Sequence, residues 1–525
     1  MRDFQTPGRS AVYAENGMCA TSHPLAAQAA LNILQQGGNA LDAAIAGAVL
    51  LPLCEPHMTG LGGDCFALIS PADGGNIIAM NGSGRAPAGA NADDLRLRGL
   101  TEIPLRGAES VTIPGAMDAF CTLSADHGKL ELGQVFAPAI HYAEAGVPVA
   151  PRVAADWAAQ TDALQGAART HYLSQGQAPE IAQMFRAPGQ AEVLRRVAAQ
   201  GRDAFYTGEI AEDMLAALNE AGGCHAADDF ANTRCDYTTP VQGSYGPVDL
   251  VEHPPNGQGA TAILMLNILK HFDLTTLDPA GTARVHLETE ATKLAYDARN
   301  RFIADPAGGD CTAYMTAPET AAKLAALIDP NAVIKDAHKV TEAVHKDTVY
   351  ITVVDKDRMA VSLIFSLFHG FGSGLASPKF GLLLQNRGAG FTLQSGHANE
   401  YGAGKRPMHT IIPGMLAQNG RAIMPFGVMG GQYQPAGHAR LLTNMYDFGL
   451  DLQSAIDAPR SFFDKGKLVL ESGYSEKTQQ ELTDMGHDTT RAPSAIGGAQ
   501  AIRILDNGVL EGASDPRKDG CAIGY

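Results

Sequence analysis

The stretch His345-Lys346-Asp347-Thr348-Val349-Tyr350-Ile351-Thr352-Val353-Val354-Asp355 passes directly from a polar loop into a β-branched run. Its second half reads as a strand. After Lys356-Asp357-Arg358-Met359 a second β-rich run extends from Ala360 to Phe368, so the two form a hairpin. Asp355 and Asp357 resemble the opening of a calcium loop, but the turn glycine and closing glutamate are missing, which leaves a hairpin turn. A threonine at a strand start, as at Thr348, is ordinarily structural.

Outward from the hairpin, Ser22, Pro24, the periodic run to Leu34 and Gly37-Gly38 supply the cap, early proline and terminal glycine of a helix. Asn39, with Asp42 three residues on, predicts a second helix, Ala40 to Leu51, apolar on nearly every face and therefore buried between layers. Ala283 to Ile303 is a third, with Leu287, Ala291, Leu294 and Phe302 on one stripe. Residues 143–218, rich in Ala, Gln and Arg and poor in β-branched residues, predict a helical elaboration. Further strands are expected at Gly381 to Leu384, Thr410 to Leu416 and Ile423 to Val428, with helices near His438 to Phe448 and Ser475 to Met485. This order predicts an α+β protein of stacked sheets covered by helices, without internal repeats.

By length alone, 525 residues suggest three or four domains, and 45% hydrophobic with 18% charged residues excludes disorder over most of the chain. The formal charge of −17 repels polyanions, which argues against nucleic acid and anionic membranes as partners. Eight cysteines without a C-x-x-C pair give neither a zinc ribbon nor a redox motif, and read as free, mostly buried thiols in a reducing compartment. The N-terminal residues contain no apolar run like a signal peptide, and Ala43 to Leu53, the longest apolar stretch, is too short to span a bilayer. A cytoplasmic location is expected.

Gly60-Leu61-Gly62-Gly63 and Gly370-Phe371-Gly372-Ser373-Gly374 lack the Lys-Ser/Thr or dinucleotide spacing of phosphate loops. No G-x-S-x-G elbow supports a Ser/His/Asp triad. His286 and Glu290 lie one helical turn apart, but no third ligand is spaced to join them, so a surface or cap interaction is expected and neither metal nor cofactor is predicted.

The chain nevertheless resembles, over nearly its whole length, the γ-glutamyltransferase (γ-glutamyltranspeptidase) family of N-terminal nucleophile hydrolases. The resemblance is carried by Ala20-Thr21-Ser22-His23-Pro24-Leu25, Gly37-Gly38-Asn39-Ala40, Glu55-Pro56-His57 with Gly60-Leu61-Gly62-Gly63, and Val111 to Gly115. It continues through Val353 to Asp357, Phe371 to Gly374, Gly404 to Pro407, Asp457 to Arg460 and Gly512 to Arg517. It implies a four-layer αββα sandwich with helical elaboration, and a precursor that cuts itself between Asp347 and Thr348. The products would be a large chain, 1–347, and a small one, 348–525, together forming one αββα domain able to pair as a dimer of heterodimers. Chemically, a threonine hydroxyl is a poor nucleophile alone, whereas a new N-terminal amine, with a pKa near 8, can take its proton. In the family the match to Gly430-Gly431 forms the oxyanion hole; a pair of glycines lets backbone N–H groups approach an oxyanion closely. Ser366 falls on the family's second threonine, which hydrogen-bonds the nucleophile.

The substrate motifs depart from the family. Ser83 stands on its carboxylate-binding arginine, and Ala389 and Gly390 replace both aspartates of its ammonium-binding motif. Phe368 takes a substrate-binding asparagine position, Met408-His409-Thr410 replaces a Leu-Ser-Ser, and the stretch from Gly390 to Lys405 is shorter than the usual lid loop. A negative charge near the acyl group is lost and a positive one gained at Arg387, with Arg85 assisting and Asn386, His409 and Thr410 completing the pocket; the alternative is that Arg387 only pairs with a structural carboxylate. The expected substrate is a small amide with an acyl carboxylate and no ammonium, such as an oxamate or glutaryl amide, as in the oxamate amidohydrolase and cephalosporin-acylase-like branch. Two alternatives stay open: a γ-glutamyl hydrolase or transferase acting on glutathione, and an unprocessed ligand-binding pseudoenzyme.

Overall fold

Alternation along one strand sets the architecture. In the strand Asp347–Val354, Val349, Ile351 and Val353 pack into the same apolar core as the first two helices, while Tyr350 enters a separate cluster with Phe66, Ile364, Ile411 and Met429. Even-numbered positions therefore face a second sheet, and Thr348 shares that parity. This computed structural model describes residue 5 and residues 8–309, 311–335 and 347–525, with only the backbone of Asp347.

Two seven-stranded sheets face each other. One runs Val12–Ala14, Leu510–Ser514, Gly498–Ile504, Arg421–Met429, Gly414–Gln418, Val248–Glu252, Val241–Tyr245. The other runs Cys521–Gly524, Met18–Thr21, Asp347–Val354, Ala360–Phe368, Asp64–Ser70, Ile78–Gly82, Asp236–Thr238. All pairings within both are antiparallel, and Ser362 Oγ bridges the sheets by donating to the Phe426 carbonyl at 3.1 Å. Helices Pro24–Gln35 and Ala40–Cys54 cover the second sheet, and Gly259–Leu269 and Gln434–Tyr446 the first. The result is the α+β, four-layer αββα sandwich. Both sheets are built from strands on both sides of residue 347.

The helix Ala40–Cys54 is buried at every residue and starts at a capping box: Asn39 Oδ1 accepts from the Asp42 amide and Asp42 accepts from the Asn39 amide. It can lie close to the Asp347–Val354 strand because position 47 is glycine; a Cβ there would run into Ile351 Cδ1. The turn after that strand is closed by Asp355, whose Oδ1 accepts from the Asp357 and Met359 amides and whose Oδ2 accepts from the Ala40 amide.

Several expectations need correction. The first helix is capped by His23, whose Nδ1 accepts from the Leu25 amide at 3.3 Å, while Ser22 Oγ donates to Glu55. Gly381 to Leu384 makes only isolated bridges, with Gly381 at φ +66° interrupting extended pairing. The strand expected from Thr410 begins at Gly414. All eight cysteines are free, but only Cys19, Cys54 and Cys65 are fully buried. His286 and Glu290 are buried rather than surface residues, and a third group does join them: His487 Nε2 lies 2.9 Å from His286 Nδ1. Glu290 is already engaged by Lys293 Nζ at 2.7 Å and the Ile334 amide at 2.8 Å. No helix among the described residues is long and apolar enough to cross a membrane.

Candidate active site

Thr348 sits where the hairpin register slips. Val349 pairs with Phe365 but Asp347 with Phe368, so Ser366 and Leu367 together oppose Thr348. The irregularity brings Thr348 Oγ1 and Ser366 Oγ to 3.3 Å in a buried setting. Ser366 Oγ also accepts from the Phe368 amide at 2.8 Å. Phe368 itself has φ +85°, a strained value for a bulky residue, and turns its ring beneath the Arg387 guanidinium, whose Cζ is 3.9 Å from the ring centroid. Contiguous contacts thus run from Thr348 through Ser366 and Phe368 to Arg387.

Arg387 begins the short 3-10 turn Arg387–Gly390 and is wholly buried. Its Nη1 donates to Thr410 Oγ1 at 2.9 Å, whereas Nε and Nη2 have no hydrogen-bond partner among the described residues. Burial pushes its pKa down to about 9, opposed by the attraction of Asp64. A buried guanidinium with two unused donors is a costly arrangement that an anion would relieve.

Asp64, which sequence reasoning missed, is the carboxylate facing this arginine. Its Oδ1 accepts from the Gly84 amide at 2.9 Å and Gln385 Nε2 at 2.7 Å; its Oδ2 lies 3.1 Å from His409 Nε2. His409 Nδ1 accepts from the Ile411 amide, so the ring's proton is on Nε2 and points at Asp64. Burial raises the Asp64 pKa to about 6, with Arg387 the strongest opposing influence. The same burial, and then Arg387, hold His409 well below its ordinary range. The only sequence signal for Asp64 was its place at a strand start directly after Gly62-Gly63.

The remaining pocket residues divide. Asn386 is saturated by the scaffold: Oδ1 accepts from the His369 amide, and Nδ2 reaches the Leu105 carbonyl at 2.8 Å and His369 Nδ1 at 3.0 Å. Arg85 is not brought to Arg387 by any contact. It is partly exposed, 3.3 Å from Asp305 and 3.5 Å from Asp236, and donates to the Gly404 carbonyl. Ser83 Oγ accepts from Asn256 Nδ2 at 3.1 Å.

Beyond Met429 the chain turns sharply. Gly430 has φ +119° and Gly431 φ +55°, and a Cβ at Gly430 would stand 3.0 Å from Gly497 Cα. Gln258 Nε2 donates to the Gly431 carbonyl at 3.1 Å and to the Thr410 carbonyl at 2.6 Å. Beside Gly430 opens a cavity of about 380 Å³, bordered by Met58, Arg152, Asp156, Tyr433 and Lys518. Contacts thus join the hydroxyl pair to Arg387 and, through Thr410 and Gln258, to the glycine turn, whereas the cavity is bordered by Gly430 but by neither Thr348 nor Arg387.

Residues 26–525 match the family model described as gamma-glutamyltranspeptidase. The glutathione hydrolase-like YwrD proenzyme of Bacillus subtilis is 36% identical over 524 residues, covering 97% of this chain and 98% of its own. The oxamate amidohydrolase proenzyme of Klebsiella pneumoniae is 35% identical over 532 residues, covering 97% and 98%. Among solved structures, cephalosporin acylase from Bacillus halodurans superposes with a TM-score of 0.92 at 37% identity, covering 100% of this chain and 99% of that one.

Proposed function

We propose, from the premise that this chain belongs to the γ-glutamyltranspeptidase family and is an amidohydrolase or acylase of that family, that it hydrolyses amides whose acyl group carries a carboxylate but no ammonium. One observation carries this reading: the buried Arg387 keeps Nε and Nη2 unpaired among the described residues. Asp64, the nearest candidate for binding an ammonium, already receives hydrogen bonds on both oxygens from Gly84, Gln385 and His409. Ala389 and Gly390 offer no carboxylate. A γ-glutamyl group would bury its ammonium without an anionic partner, at a cost of several kcal/mol.

In this reading the precursor first acts on itself. Thr348 Oγ1, hydrogen-bonded to Ser366, attacks the Asp347 carbonyl carbon; its proton passes to the leaving nitrogen as the C–N bond breaks, the acyl group is left on oxygen, and water hydrolyses the ester, returning the hydroxyl. Chains 1–347 and 348–525 result, consistent with the proenzyme names of the relatives. The freed α-amine then takes the Thr348 hydroxyl proton as Oγ1 adds to the substrate carbonyl. The Gly430-Gly431 turn supports the oxyanion through backbone N–H groups. The proton passes to the departing amine, leaving an acyl ester that water cleaves to regenerate the amine and hydroxyl. The cavity beside Gly430, bordered by Arg152, Asp156 and Lys518, suits a bulky leaving amine that carries an acidic group.

Hydrolysis of oxamate, a glutaryl amide and a γ-glutamyl anilide by the processed protein tests this reading. The first two should be preferred, and clear preference for the anilide would overturn the charge argument. Denaturing electrophoresis should show two bands from the wild type and one from Thr348→Ala. A persistent single wild-type band would instead mark a pseudoenzyme.

A further inference from the structure

The geometry points to Gln258, clamped by Arg299, as the positioning residue that sets the distance between the Gly430-Gly431 turn and Arg387, and thereby the length of acyl group accepted; this rests on the function proposed above. Gln258 immediately precedes the buried helix Gly259–Leu269 and is itself fully buried. Its planar amide presents two N–H bonds in fixed directions. One amide nitrogen, Nε2, reaches carbonyls on two separate parts of the chain, Gly431 at 3.1 Å and Thr410 at 2.6 Å. Thr410 in turn accepts from Arg387 Nη1 through its Oγ1 at 2.9 Å. The oxyanion turn and the carboxylate-binding guanidinium are therefore linked through one glutamine and one threonine.

Arg299 determines which way that glutamine points. A guanidinium can only donate, so its Nη1, 2.9 Å from Gln258 Oε1, requires the oxygen on its side and turns Nε2 toward the two carbonyls. The same Nη1 donates to Gln432 Oε1, one residue beyond the glycine pair. Tyr296, whose ring lies 4.4 Å from the Arg299 Cζ, donates its hydroxyl to the Gln432 carbonyl. Both come from the long helix Thr282–Phe302. The amide oxygens of Gln258, Gln432 and Asn300 accept from the fully buried Arg299, which fits an orienting role.

A substrate with a distal carboxylate must satisfy both anchors at once, oxyanion at the turn and carboxylate at Arg387. The span between them then selects chain length. A neutral amide uses only the first anchor and is indifferent to the span.

The test compares wild type, Gln258→Met and Arg299→Lys on oxamate, malonamate, succinamate and glutaramate, and on a neutral amide, with rates expressed per processed molecule. Wild type should show one preferred length. In Gln258→Met the preferred substrate should lose at least about tenfold in kcat/KM while its advantage over the adjacent lengths shrinks to within about threefold. Arg299→Lys, which keeps the charge but loses the planar fork, should fall between the two. Thermal unfolding of each variant in a Thr348→Ala background checks folding, and if Gln258→Met does not fold, Arg299→Lys carries the ranking alone. A uniform loss that preserves the wild-type ranking would overturn the assignment while leaving the proposed function intact. Failure of wild type to hydrolyse any carboxylate in the series would overturn both.

Discussion

Replacing Arg387 by methionine keeps most of the side-chain volume over the Phe368 ring while removing the charge and the two unpaired donors. Truncating one partner of a buried, hydrogen-bonded charge pair costs about 2–5 kcal/mol. For a carboxylate-bearing amide that is a loss in kcat/KM of about 30-fold to about 5,000-fold. A neutral amide, which never uses Arg387, should change by less than about threefold. The same substitution leaves Asp64 buried without the cation that opposes its raised pKa, so stability can fall for reasons unrelated to binding. The double variant Arg387→Met with Asp64→Asn removes both charges and separates the effects: it should recover thermal stability yet stay defective toward the carboxylate substrate. Steady-state kinetics on oxamate, a glutaryl amide and a neutral amide, with melting curves for each variant, complete the assay. Equal proportional losses on carboxylate and neutral amides would refute the reasoning.

Four further outcomes are expected. Asp64, with a pKa raised to about 6 by burial, is neutral below that pH and then leaves Arg387 unopposed; above it, its charge competes with an acyl carboxylate. KM for carboxylate substrates should therefore rise with pH through about 6, by up to about tenfold per unit, while KM for a neutral amide stays level; parallel profiles would dissociate Asp64 from binding. Because a raised folded-state pKa favours the protonated form, the same group should lose stability as pH climbs from about 4 to about 6, by on the order of 3 kcal/mol, and Asp64→Asn should remove that slope from the melting temperature. Gly430→Ala combines a positive φ with the close approach to Gly497, so kcat should drop about 100-fold or more with KM nearly unchanged, and self-cleavage should slow in parallel; wild-type turnover would remove this turn from the oxyanion role. Lys518→Gln should raise KM about tenfold for a bulky, anionic leaving amine and leave oxamate, which releases ammonia, unaffected; equal effects on both would detach the cavity from the reaction.

Local rules made much of the fold legible. The hairpin around Asp355, the capping box at Asn39 and the all-apolar helix after it follow from neighbouring residues, and the structure reproduces them. The first cap shows the limit: Ser22 has the right chemistry, but its hydroxyl is drawn to Glu55, distant in sequence, and His23 caps instead. The candidate site follows the same division. Thr348 and Ser366 are brought together by a single hairpin, yet their spacing alone reads as structural, and it was the resemblance to the family that singled them out. Asp64, Gln258 and Arg299 act across separations of more than a hundred residues, where periodicity and spacing carry no signal. Arg85 illustrates the converse: its charge looked available in the sequence, but tertiary folding sets it against Asp236 and Asp305.

The interleaving of the two sheets has a consequence for quality control. Val12–Ala14 pairs with Leu510–Ser514, and Met18–Thr21 lies between Cys521–Gly524 and Asp347–Val354, so strands from near both ends of the chain help complete the two sheets that carry Thr348 and the glycine turn. Under the proposed processing, the cut would therefore be made only by a chain that has already closed both ends of its sandwich. Each severed bond would then certify one correctly folded molecule, and a misfolded copy would remain intact and inert, so that activation doubles as proofreading of the fold.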